Sequence, residues 1–555
     1  MKIVLTAINA KYIHSNLAVY SLRAYAKEYK EQITIAEYTI NQQMNDILAD
    51  IYKQKPDVLC FSCYIWNLTY VETLIREIGK ILPKMPIWVG GPEVSYDVES
   101  VLKRLPEVTG VMFGEGEETF LELMEYYHNE GRSLSEIKGI AYRNNEGNIC
   151  VNPWRQVIDL STVPFVYEDM EDFRNKIIYY ESSRGCPFSC SYCLSSVDKC
   201  LRFRNLDFVK RELQFFIDEK VPQVKFVDRT FNCKHEHAME IWQYIMEHDK
   251  GITNFHFEVA ADLLKEDEIE LISKMRPGLI QLEIGVQSTN EKTIKEIRRT
   301  MKFSEVASVV KKINEHNNVH QHLDLIAGLP YEDLESFKKS FYDVYSLHPE
   351  QLQLGFLKVL KGSYMEEQKE AYGLVCQSKP PYEVLYTNWL TYGDVMELKT
   401  VEEMVEVYYN SGQFKYTLFQ LEKEFSNPYD LYLELGQYYE KNGLHMVSHS
   451  RIKRYEILLD FIRSKNVTDI ELYRELLVFD LYLREKVKSR PEFAGDYTIP
   501  KEMKKELGKS AHLELFHYDV MGDCAKKENI LLFDYENRCK LTHQASCKIL
   551  SKSLQ

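Results

Sequence analysis

The stretch ESSRGCPFSCSYCLSS, residues 181–196, places three cysteines within eight residues and no fourth beside them. Cys186, Cys190 and Cys193 have the spacing C-x3-C-x2-C. Cysteine-rich loops of this kind hold iron-sulfur clusters through thiolate bonds. With three thiolates for four irons, one iron keeps an open position that a substrate or cofactor can occupy. The motif therefore predicts a reactive cluster site.

Around this stretch, six short apolar runs alternate with stretches of helical period. The candidate strands are IIYYESS, VKFVD, FHFEVA, LIQLEIGV, HLDLIAG and QLQLGFLKV. Six βα units in succession predict an open or partial (β/α)6 barrel, whose chemistry belongs at the carboxyl ends of the strands. The cysteine loop follows the first strand and so lies on that face. Polar residues fall within or at the ends of the strands: Asp228, Glu258, Glu283, Gln287 and Asp324.

Two alternatives stay open for these residues. The three cysteines could form a structural zinc site with a distant fourth ligand, from the set Cys200, Cys233 and His235. For Asp228 and Glu258, a structural role as hydrogen-bonded barrel carboxylates is as consistent with the sequence as a catalytic role.

The first 127 residues also alternate short apolar runs with amphipathic stretches, which predicts a parallel sheet with helices on both faces. Ligands of such sheets sit beyond the carboxyl ends of the strands. Two glycine turns and two polar residues are expected there: Gly90, Gly91, Gly114, Glu115, Gly116, Glu117, Ser62 and Asn67. Glycines without a Cβ would let a large ligand approach the backbone.

The remaining segments complete the predicted organisation. GIAYRNNEGNICVNPW, residues 139–154, predicts a hairpin, and residues beyond 361 combine helical spacing, aromatic stripes and two late strands. The predicted fold class is α/β, in four parts: a Rossmann-like domain (1–137), a connector (138–172), a partial barrel (173–362) and a mainly helical C-terminal domain (363–555).

Composition narrows the class of protein. The chain has 555 residues, 45% of them hydrophobic, which is enough for more than one core. We find no signal peptide and no apolar run long enough to span a bilayer, so we expect a cytoplasmic protein without a membrane partner. Twelve cysteines are then expected to be thiols or metal ligands. The net charge of −15 argues against a broad nucleic-acid surface but leaves a local basic groove open.

In combination, these motifs resemble the radical S-adenosylmethionine (SAM) superfamily. There the same cysteine motif holds a 4Fe-4S cluster, whose open iron chelates the amino and carboxylate groups of SAM. The similarity extends to KFVDRTFN (225–232), EIGVQS (283–288) and DLIAGLP (324–330) on successive strands. The resemblance implies cofactor-binding roles for Tyr192, Asp228, Glu258, Glu283, Gln287, Ser288, Arg299 and Ile326.

The first domain, placed before such a barrel, resembles the cobalamin-binding domain of cobalamin-dependent radical enzymes. This resemblance implies that Ser62, Asn67 and the two glycine turns contact cobalamin. No D-x-H-x-x-G motif occurs, so no protein histidine is expected on cobalt. An empty or nucleotide-binding domain is the alternative, although the G-x-G-x-x-G fingerprint is absent.

The two resemblances together imply a cobalamin-dependent radical enzyme. It would cleave SAM reductively with electrons from a donor such as flavodoxin or ferredoxin, and methylate an unactivated carbon through methylcobalamin. The sequence names neither the catalytic side chains nor the substrate. Two alternatives stay open: a rearrangement or redox reaction that uses the same cofactors without methyl transfer, and a corrinoid or redox sensor without catalysis.

Overall fold

The computed structural model describes residues 1–197, 199–495 and 510–550. The first sheet contains β1 (Ile3–Asn9), β2 (Ile33–Thr39), β3 (Val58–Ser62), β4 (Ile87–Gly90), β5 (Gly110–Met112), β6 (Ile140–Arg143) and β7 (Ile149–Val151). Its helices are α1 (Leu17–Tyr25), α2 (Met44–Gln54), α3 (Leu68–Ile81), α4 (Pro92–Ser95), α5 (Val98–Arg104) and α6 (Glu117–Tyr127). The strand order is β2-β1-β3-β4-β5-β6-β7, and the first five strands are parallel.

Local sequence explains these elements. Every residue of β1 is buried, because helices cover both faces of a central parallel strand. In α3, the buried residues Val71, Leu74, Ile75 and Ile78 recur at helical spacing and form one apolar face. The predicted hairpin forms as β6 and β7, and it pairs antiparallel with β5. The segment predicted as a connector therefore begins as the edge of the first sheet.

The second sheet is the predicted six-stranded parallel series. Its strands are β8 (Ile178–Tyr180), β11 (Gln223–Phe226), β12 (Asn254–Val259), β13 (Ile280–Gln287), β14 (His320–Ala327) and β15 (Gln351–Phe356), with a small ribbon of β9 (Ser183–Arg184) and β10 (Arg202–Phe203). Its helices are α7 (Leu206–Asp218), α8 (His235–His248), α9 (Glu266–Ser273), α10 (Glu291–Glu296), α11 (Phe303–Asn314) and α12 (Leu334–Tyr345). The six strands are parallel and follow chain order from β8 to β15, which confirms the predicted fold class.

The C-terminal region is mainly helical. It contains α13 (Tyr364–Glu367), β16 (Val375–Cys376), β17 (Val384–Tyr386), α14 (Tyr392–Met404), α15 (Lys415–Leu421), α16 (Pro428–Lys441), α17 (Arg451–Ser464), α18 (Ile470–Arg484), β18 (Ala511–Tyr518), β19 (Lys526–Arg538) and β20 (Ala545–Leu550). The last three strands form an antiparallel sheet. The aromatic stripes are core: Tyr408, Tyr432 and Tyr455 are fully buried. Within the described ranges, no helix is both long enough and apolar enough to cross a membrane.

Ion pairs fasten the first sheet to the ribbon beside the cysteines. We define the domain clamp as Arg184, Arg202, Glu115, Glu117 and Glu181. Arg184 Nη2 lies 2.7 Å from Glu117 Oε1 and 2.8 Å from Glu181 Oε2. Arg202 Nη2 lies 2.7 Å from Glu115 Oε1. Burial by itself raises the pKa of Glu117, but the Arg184 guanidinium outweighs it and holds that pKa below its usual range.

Further contacts join the same two sheets. The Ile177 amide donates to the Ile13 carbonyl at 2.7 Å, and His14 Nδ1 lies 2.6 Å from the Tyr179 hydroxyl oxygen. Because residues 13–14 follow β1 and residues 115–117 follow β5, the carboxyl edge of the first sheet meets the start of the barrel.

Removal of the Glu117 charge should loosen the domain clamp. Glu117→Gln deletes a charge-assisted contact that is worth about 1.5–3 kcal/mol, so the melting temperature should fall. Amide hydrogen exchange should accelerate in both the cysteine loop and residues 113–116. The control is Glu99→Gln, which breaks an exposed pair with Lys103. Equal exchange in the two variants would contradict a clamping role.

Candidate active site

The cysteine loop lies at the carboxyl ends of the second sheet. Its three cysteines are free; Cys186 is buried, and Cys190 and Cys193 are partly exposed. A Cβ on Gly185, where φ is +93°, would lie 2.6 Å from the Cys200 carbonyl oxygen, so this close return of the chain requires glycine. Among the described residues, no metal-ligand group with atoms within 4.8 Å of one another includes these cysteines. A three-sulfur donor set without that convergence suits a cluster better than a zinc ion.

Arg299 links the cysteine loop to β13. Its Nη1 donates to the Tyr192 hydroxyl at 3.1 Å and lies 4.0 Å from Cys190 Sγ, while Nη2 donates to the Gly285 carbonyl at 2.7 Å. Arg299 Nε and the Gln287 side-chain oxygen are buried and have no hydrogen-bond partner in the part of the chain that the structure describes. Because buried polar atoms are normally paired, these two atoms are candidate contacts for a polar ligand beside Cys190.

The backbone at Gln287 supports the same interpretation. Its φ is +70°, a left-handed conformation that costs energy in residues other than glycine. The pairing of β13 with β14 shifts register between Gly285 and Gln287. A Cβ on Gly285 would lie 2.3 Å from Gln287 Nε2, so a larger residue at position 285 would displace the Gln287 amide. Strained backbone of this kind concentrates at ligand sites.

The thiol of Cys190 lies in a mixed environment. Burial raises its pKa, and the charge of Arg299 opposes that shift. A cation near a thiol favours the thiolate, which is the form that binds metal. The structure thus brings Cys190, Tyr192, Gln287 and Arg299 together, and their contact with a cofactor stays a prediction.

Two predicted cofactor contacts are fully buried in hydrogen-bond networks. Asp228 accepts from the Ser182 amide at 2.9 Å and from the hydroxyls of Ser182 and Ser183 at 2.6 Å each. Burial raises the pKa of Asp228 to about 6, against these hydrogen bonds. Ser288 donates to Glu332 at 2.6 Å. These contacts position the backbone: Asp228 holds the approach to the cysteine loop, and Ser288 holds the turn after β13.

Four neighbouring strands place charged residues on one face of the second sheet. We define the lumen cluster as Lys225, His256, Glu283, His322 and Asp324. Glu283 Oε2 lies 2.9 Å from Lys225 Nζ and 3.0 Å from His256 Nε2. His322 Nε2 lies 3.0 Å from Asp324 Oδ1. Burial by itself raises the pKa of Glu283, but His256 and Lys225 hold it well below its usual range.

The lumen cluster surrounds or adjoins two of the predicted cofactor contacts, Glu283 and Ile326. The carboxylate of Glu283, predicted to contact SAM, is shared between a lysine and a histidine. Glu283, His322 and Asp324 also bring ligand atoms within 4.8 Å of one another, but the Lys225 ammonium already supplies a cation against Glu283. Ile326 is partly buried two residues beyond Asp324, on the same face of β14.

Glu258 lies two residues beyond His256 on β12. Burial raises its pKa to about 7, although the charge of Arg229 opposes the shift. A carboxyl group that titrates near neutrality can hold or release a proton at physiological pH. The lumen cluster and Glu258 together make this face of the sheet polar, which suits a polar substrate.

The glycines at the carboxyl edge of the first sheet are explained by packing of the chain itself. A Cβ on Gly91, where φ is +113°, would lie 2.5 Å from a backbone oxygen. A Cβ on Gly114, where φ is +74°, would lie 3.2 Å from the ring of Trp154. Gly90 and Gly116 also have protein atoms within 3.4 Å of a Cβ position. Direct contact of these glycines with cobalamin stays a prediction.

Asn67 and Ser62 occupy the turn after β3. Asn67 is fully buried: its Nδ2 donates to the carbonyls of Ile8 at 2.9 Å and Ser62 at 3.0 Å, and its Oδ1 accepts from the Tyr64 amide at 2.8 Å. Asn67 therefore stabilises the turn. The partly exposed Ser62 hydroxyl accepts from Asn16 Nδ2 at 3.1 Å. Glu115 and Glu117 belong to the domain clamp.

Aromatic residues at this edge were not predicted. Tyr12, Trp66 and Trp154, which we name the aromatic rim, are 68%, 44% and 55% exposed. Trp66 stacks on Tyr64 with ring centroids 4.4 Å apart. Exposed aromatic rings at the carboxyl edge of a parallel sheet are candidate contacts for a ligand with a large apolar face. The sequence signal that could have identified these aromatic residues was their position just after the strands of the first sheet.

Replacement of Glu258 should change how stability depends on pH. The pKa of about 7 in the fold exceeds the ordinary 4.5, so the contribution of Glu258 to stability is fully present below pH 4.5 and is lost as pH rises through 7. Glu258→Gln should therefore gain about 2–3 kcal/mol relative to wild type between pH 5 and pH 8. Denaturant titrations at several pH values test this, with Glu270→Gln, an exposed position, as the control. A constant difference between Glu258→Gln and wild type would contradict the raised pKa.

Three stretches of the chain match known families. Residues 3–124 match the B12 binding domain, and residues 180–343 match the radical SAM superfamily. Residues 370–533 match a family described as a protein of unknown function, DUF4080. The first two matches cover the carboxyl edge of the first sheet and the cysteine loop respectively.

Two curated relatives carry functional names. The cobalamin-dependent radical SAM methyltransferase TokK of Streptomyces tokunonensis is 24% identical over 348 residues, covering 59% of this chain and 51% of TokK. The anaerobic magnesium-protoporphyrin IX monomethyl ester cyclase of Synechocystis sp. is 25% identical over 245 residues, covering 42% of this chain and 48% of the cyclase. The chain thus matches about half the length of these relatives.

A solved structure shares the fold. The cobalamin-dependent SAM radical enzyme OxsB, with aqua-cobalamin and SAM bound, has a TM-score of 0.60 and 16% identity, covering 86% of this chain and 78% of OxsB. The chain therefore carries a B12-binding domain followed by a radical SAM domain, the domain combination of cobalamin-dependent radical SAM enzymes.

Proposed function

We propose that this chain cleaves SAM reductively and methylates an unactivated carbon of its substrate, using a 4Fe-4S cluster and cobalamin. The observation that carries the proposal is the cysteine loop: its three thiols are free, and Cys190 Sγ lies 4.0 Å from Nη1 of Arg299, whose Nε has no hydrogen-bond partner among the described residues. The name of TokK supports the same reaction class.

Each cofactor has candidate residues in this chain. Cys186, Cys190 and Cys193 would hold the cluster as thiolates. Arg299 would donate to the carboxylate of SAM, and Tyr192 keeps that guanidinium in place through its 3.1 Å hydrogen bond. The aromatic rim would receive cobalamin. When bound, these groups supply the electron, the hydrogen-abstracting radical and the methyl group.

The rest of the chain would align the cofactors and exclude water. The domain clamp holds the carboxyl edge of the first sheet against the cysteine loop, so the two cofactor sites share one cleft. Lys361 Nζ lies 2.8 Å from Asp97 Oδ2, and this contact links the segment after the barrel to the first domain. The substrate would enter between the two domains, with its polar groups directed to the lumen cluster.

The electron donor, the cellular location, the absence of a nucleic-acid partner and the domain boundaries are also proposals. A flavodoxin or ferredoxin would donate the electron, and a cytoplasmic location agrees with twelve free cysteines. We propose no nucleic-acid partner, because the net charge is −15. We propose 173–362 and 363–555 as domain boundaries, and we move the end of the first domain from 137 to Val151, because the hairpin pairs with β5; the connector 138–172 is shortened accordingly.

A second candidate function is ring formation or another redox reaction without methyl transfer. It is favoured by the Synechocystis cyclase, which matches this chain at 25% identity, close to the 24% of TokK. The same cysteines, Arg299 and aromatic rim would serve both reactions, so only the fate of the methyl group separates them.

Anaerobic reconstitution with methyl-labelled SAM should separate the two functions. After addition of a strong reductant, we expect methylcobalamin, S-adenosylhomocysteine and deoxyadenosine to form. Mass spectrometry detects all three products. These products require methyl transfer to cobalt as well as radical cleavage. Deoxyadenosine alone, with all of the label in methionine, would contradict the methylase proposal and favour the second candidate.

Loss of any one cysteine of the motif should abolish cleavage. Cys186→Ala, Cys190→Ala and Cys193→Ala each remove one of three thiolate ligands, so cluster iron and deoxyadenosine formation should fall at least about 100-fold. Cys233→Ala, which removes a nearby thiol outside the motif, is the control. Full cleavage by a motif variant, or equal loss in the control, would refute the ligand assignment.

A further inference from the structure

A large cavity lies at the end of the barrel opposite the cysteines. Its volume is about 1260 Å³, and its barrel wall consists of residues at the amino ends of the strands, including Gln223, Asn254, Gln281 and His320. Residues of the C-terminal region form the opposite wall. Since β13 spans eight residues, or about 25 Å, this cavity is separate from the cysteine loop.

A small side pocket opens from this cavity. Its volume is about 160 Å³, and we define it as the arginine pocket from its lining residues: Gln413, Arg451, Arg484, Arg538 and His543. Arg484, Arg538 and His543 also line the large cavity, so the two spaces are adjacent. No carboxylate belongs to this lining among the residues that the structure describes.

Backbone oxygens hold two of the arginines in place. Arg484 Nη1 donates to the Thr542 carbonyl at 2.9 Å, and Arg538 Nη1 donates to the carbonyls of Arg484 at 3.0 Å and His543 at 2.6 Å. Carbonyl groups fix the orientation of a guanidinium without neutralising its charge. Each of these arginines has five N–H donors, so several remain for another acceptor.

The positive charge of the pocket is poorly compensated. Burial lowers the pKa of Arg484, and the charges of Arg451 and Arg538 lower it further, so that Tyr455 and Glu485, which act in the opposite direction, compensate them only in part. Arg451 is the exception, because its Nη1 lies 2.8 Å from Glu485 Oε2 in a largely exposed ion pair. Three guanidinium groups around one small space repel one another, and an anion between them would remove that cost.

We propose that the arginine pocket binds the phosphate group of a small phosphorylated ligand, whose organic part lies in the large cavity. Guanidinium groups match phosphate oxygens in geometry, and several of them suit a dianion better than a carboxylate. Tyr416, Phe419 and Leu476 give the large cavity apolar walls for the remainder of the ligand. The site goes beyond the proposed function and does not depend on it.

The distance from the cysteine loop limits what the ligand can do. A small ligand held by the arginine pocket does not reach the cysteines through a strand length of about 25 Å. The bound molecule therefore acts as an effector or a structural ligand of the C-terminal region. Its effect on stability is measurable without the iron-sulfur cluster or cobalamin.

Thermal unfolding and calorimetry with inorganic phosphate and pyrophosphate test the site on the full-length chain. Both anions should raise the melting temperature saturably, beyond sodium chloride or acetate at equal ionic strength. Arg484→Gln and Arg538→Gln should each weaken pyrophosphate binding about 10-fold or more, because each removes charge-assisted hydrogen bonds. Arg463→Gln, on α17 but paired with Asp460 at the surface, should bind like wild type.

The outcomes are distinct. If Arg484→Gln, at the half-buried position of the pocket, fails to fold, Arg538→Gln and Arg451→Gln at its exposed positions still test the pocket, and both should weaken binding in the same direction. Equal stabilisation by phosphate and acetate would overturn the phosphate assignment. Equal binding by Arg463→Gln and the pocket variants, or no saturable binding by wild type, would overturn the site. Neither result bears on SAM cleavage, so this proposal and the proposed function fail independently.

Discussion

The paired carboxylates around Arg184 are the constraint on which the rest of the active region depends. Arg184 lies two residues before Cys186, the first cysteine of the motif. Glu117 is the first residue of α6, the helix after β5 of the first sheet. Their contact at 2.7 Å ties two separately folded sheets together at their carboxyl edges. A buried guanidinium needs its partners, because an unpaired buried charge is costly. The relative position of the two domains is therefore specified by charge as well as by apolar contact.

This constraint explains why the cysteine loop can be both exposed and ordered. Its entry is held by Asp228, which accepts hydrogen bonds from Ser182 and Ser183. Its far side is held by Arg299 through the Tyr192 hydroxyl. Of the thiols between these anchors, Cys186 is buried and Cys190 and Cys193 are partly exposed, and within the described residues Arg299 Nε and the Gln287 side-chain oxygen have no hydrogen-bond partner. A rigid frame around unsatisfied polar atoms is the arrangement expected of a ligand site.

The barrel has two chemically different ends. The carboxyl end carries the cysteines, and the amino end carries the large cavity and the arginine pocket. Between them, the lumen cluster pairs Lys225 with Glu283 and His322 with Asp324. A fully apolar barrel interior would have given more stability at this position than paired charges give. Stability alone therefore does not account for the polar interior.

Much of this protein was determined by its sequence alone. Apolar runs of strand length separated by helical periods were enough for both parallel sheets, because local periodicity decides which face of an element is buried. The cysteine spacing was enough for the cluster motif, because its ligands come from one loop. The domain clamp, the aromatic rim and the arginine pocket were decided only by the tertiary structure. Arg184 and Glu117 are 67 residues apart, and Arg451 and Arg538 come from a helix and a strand, so no local pattern marks them. Contacts between residues distant in sequence depend on how the sheets pack, and that packing is a property of the whole chain.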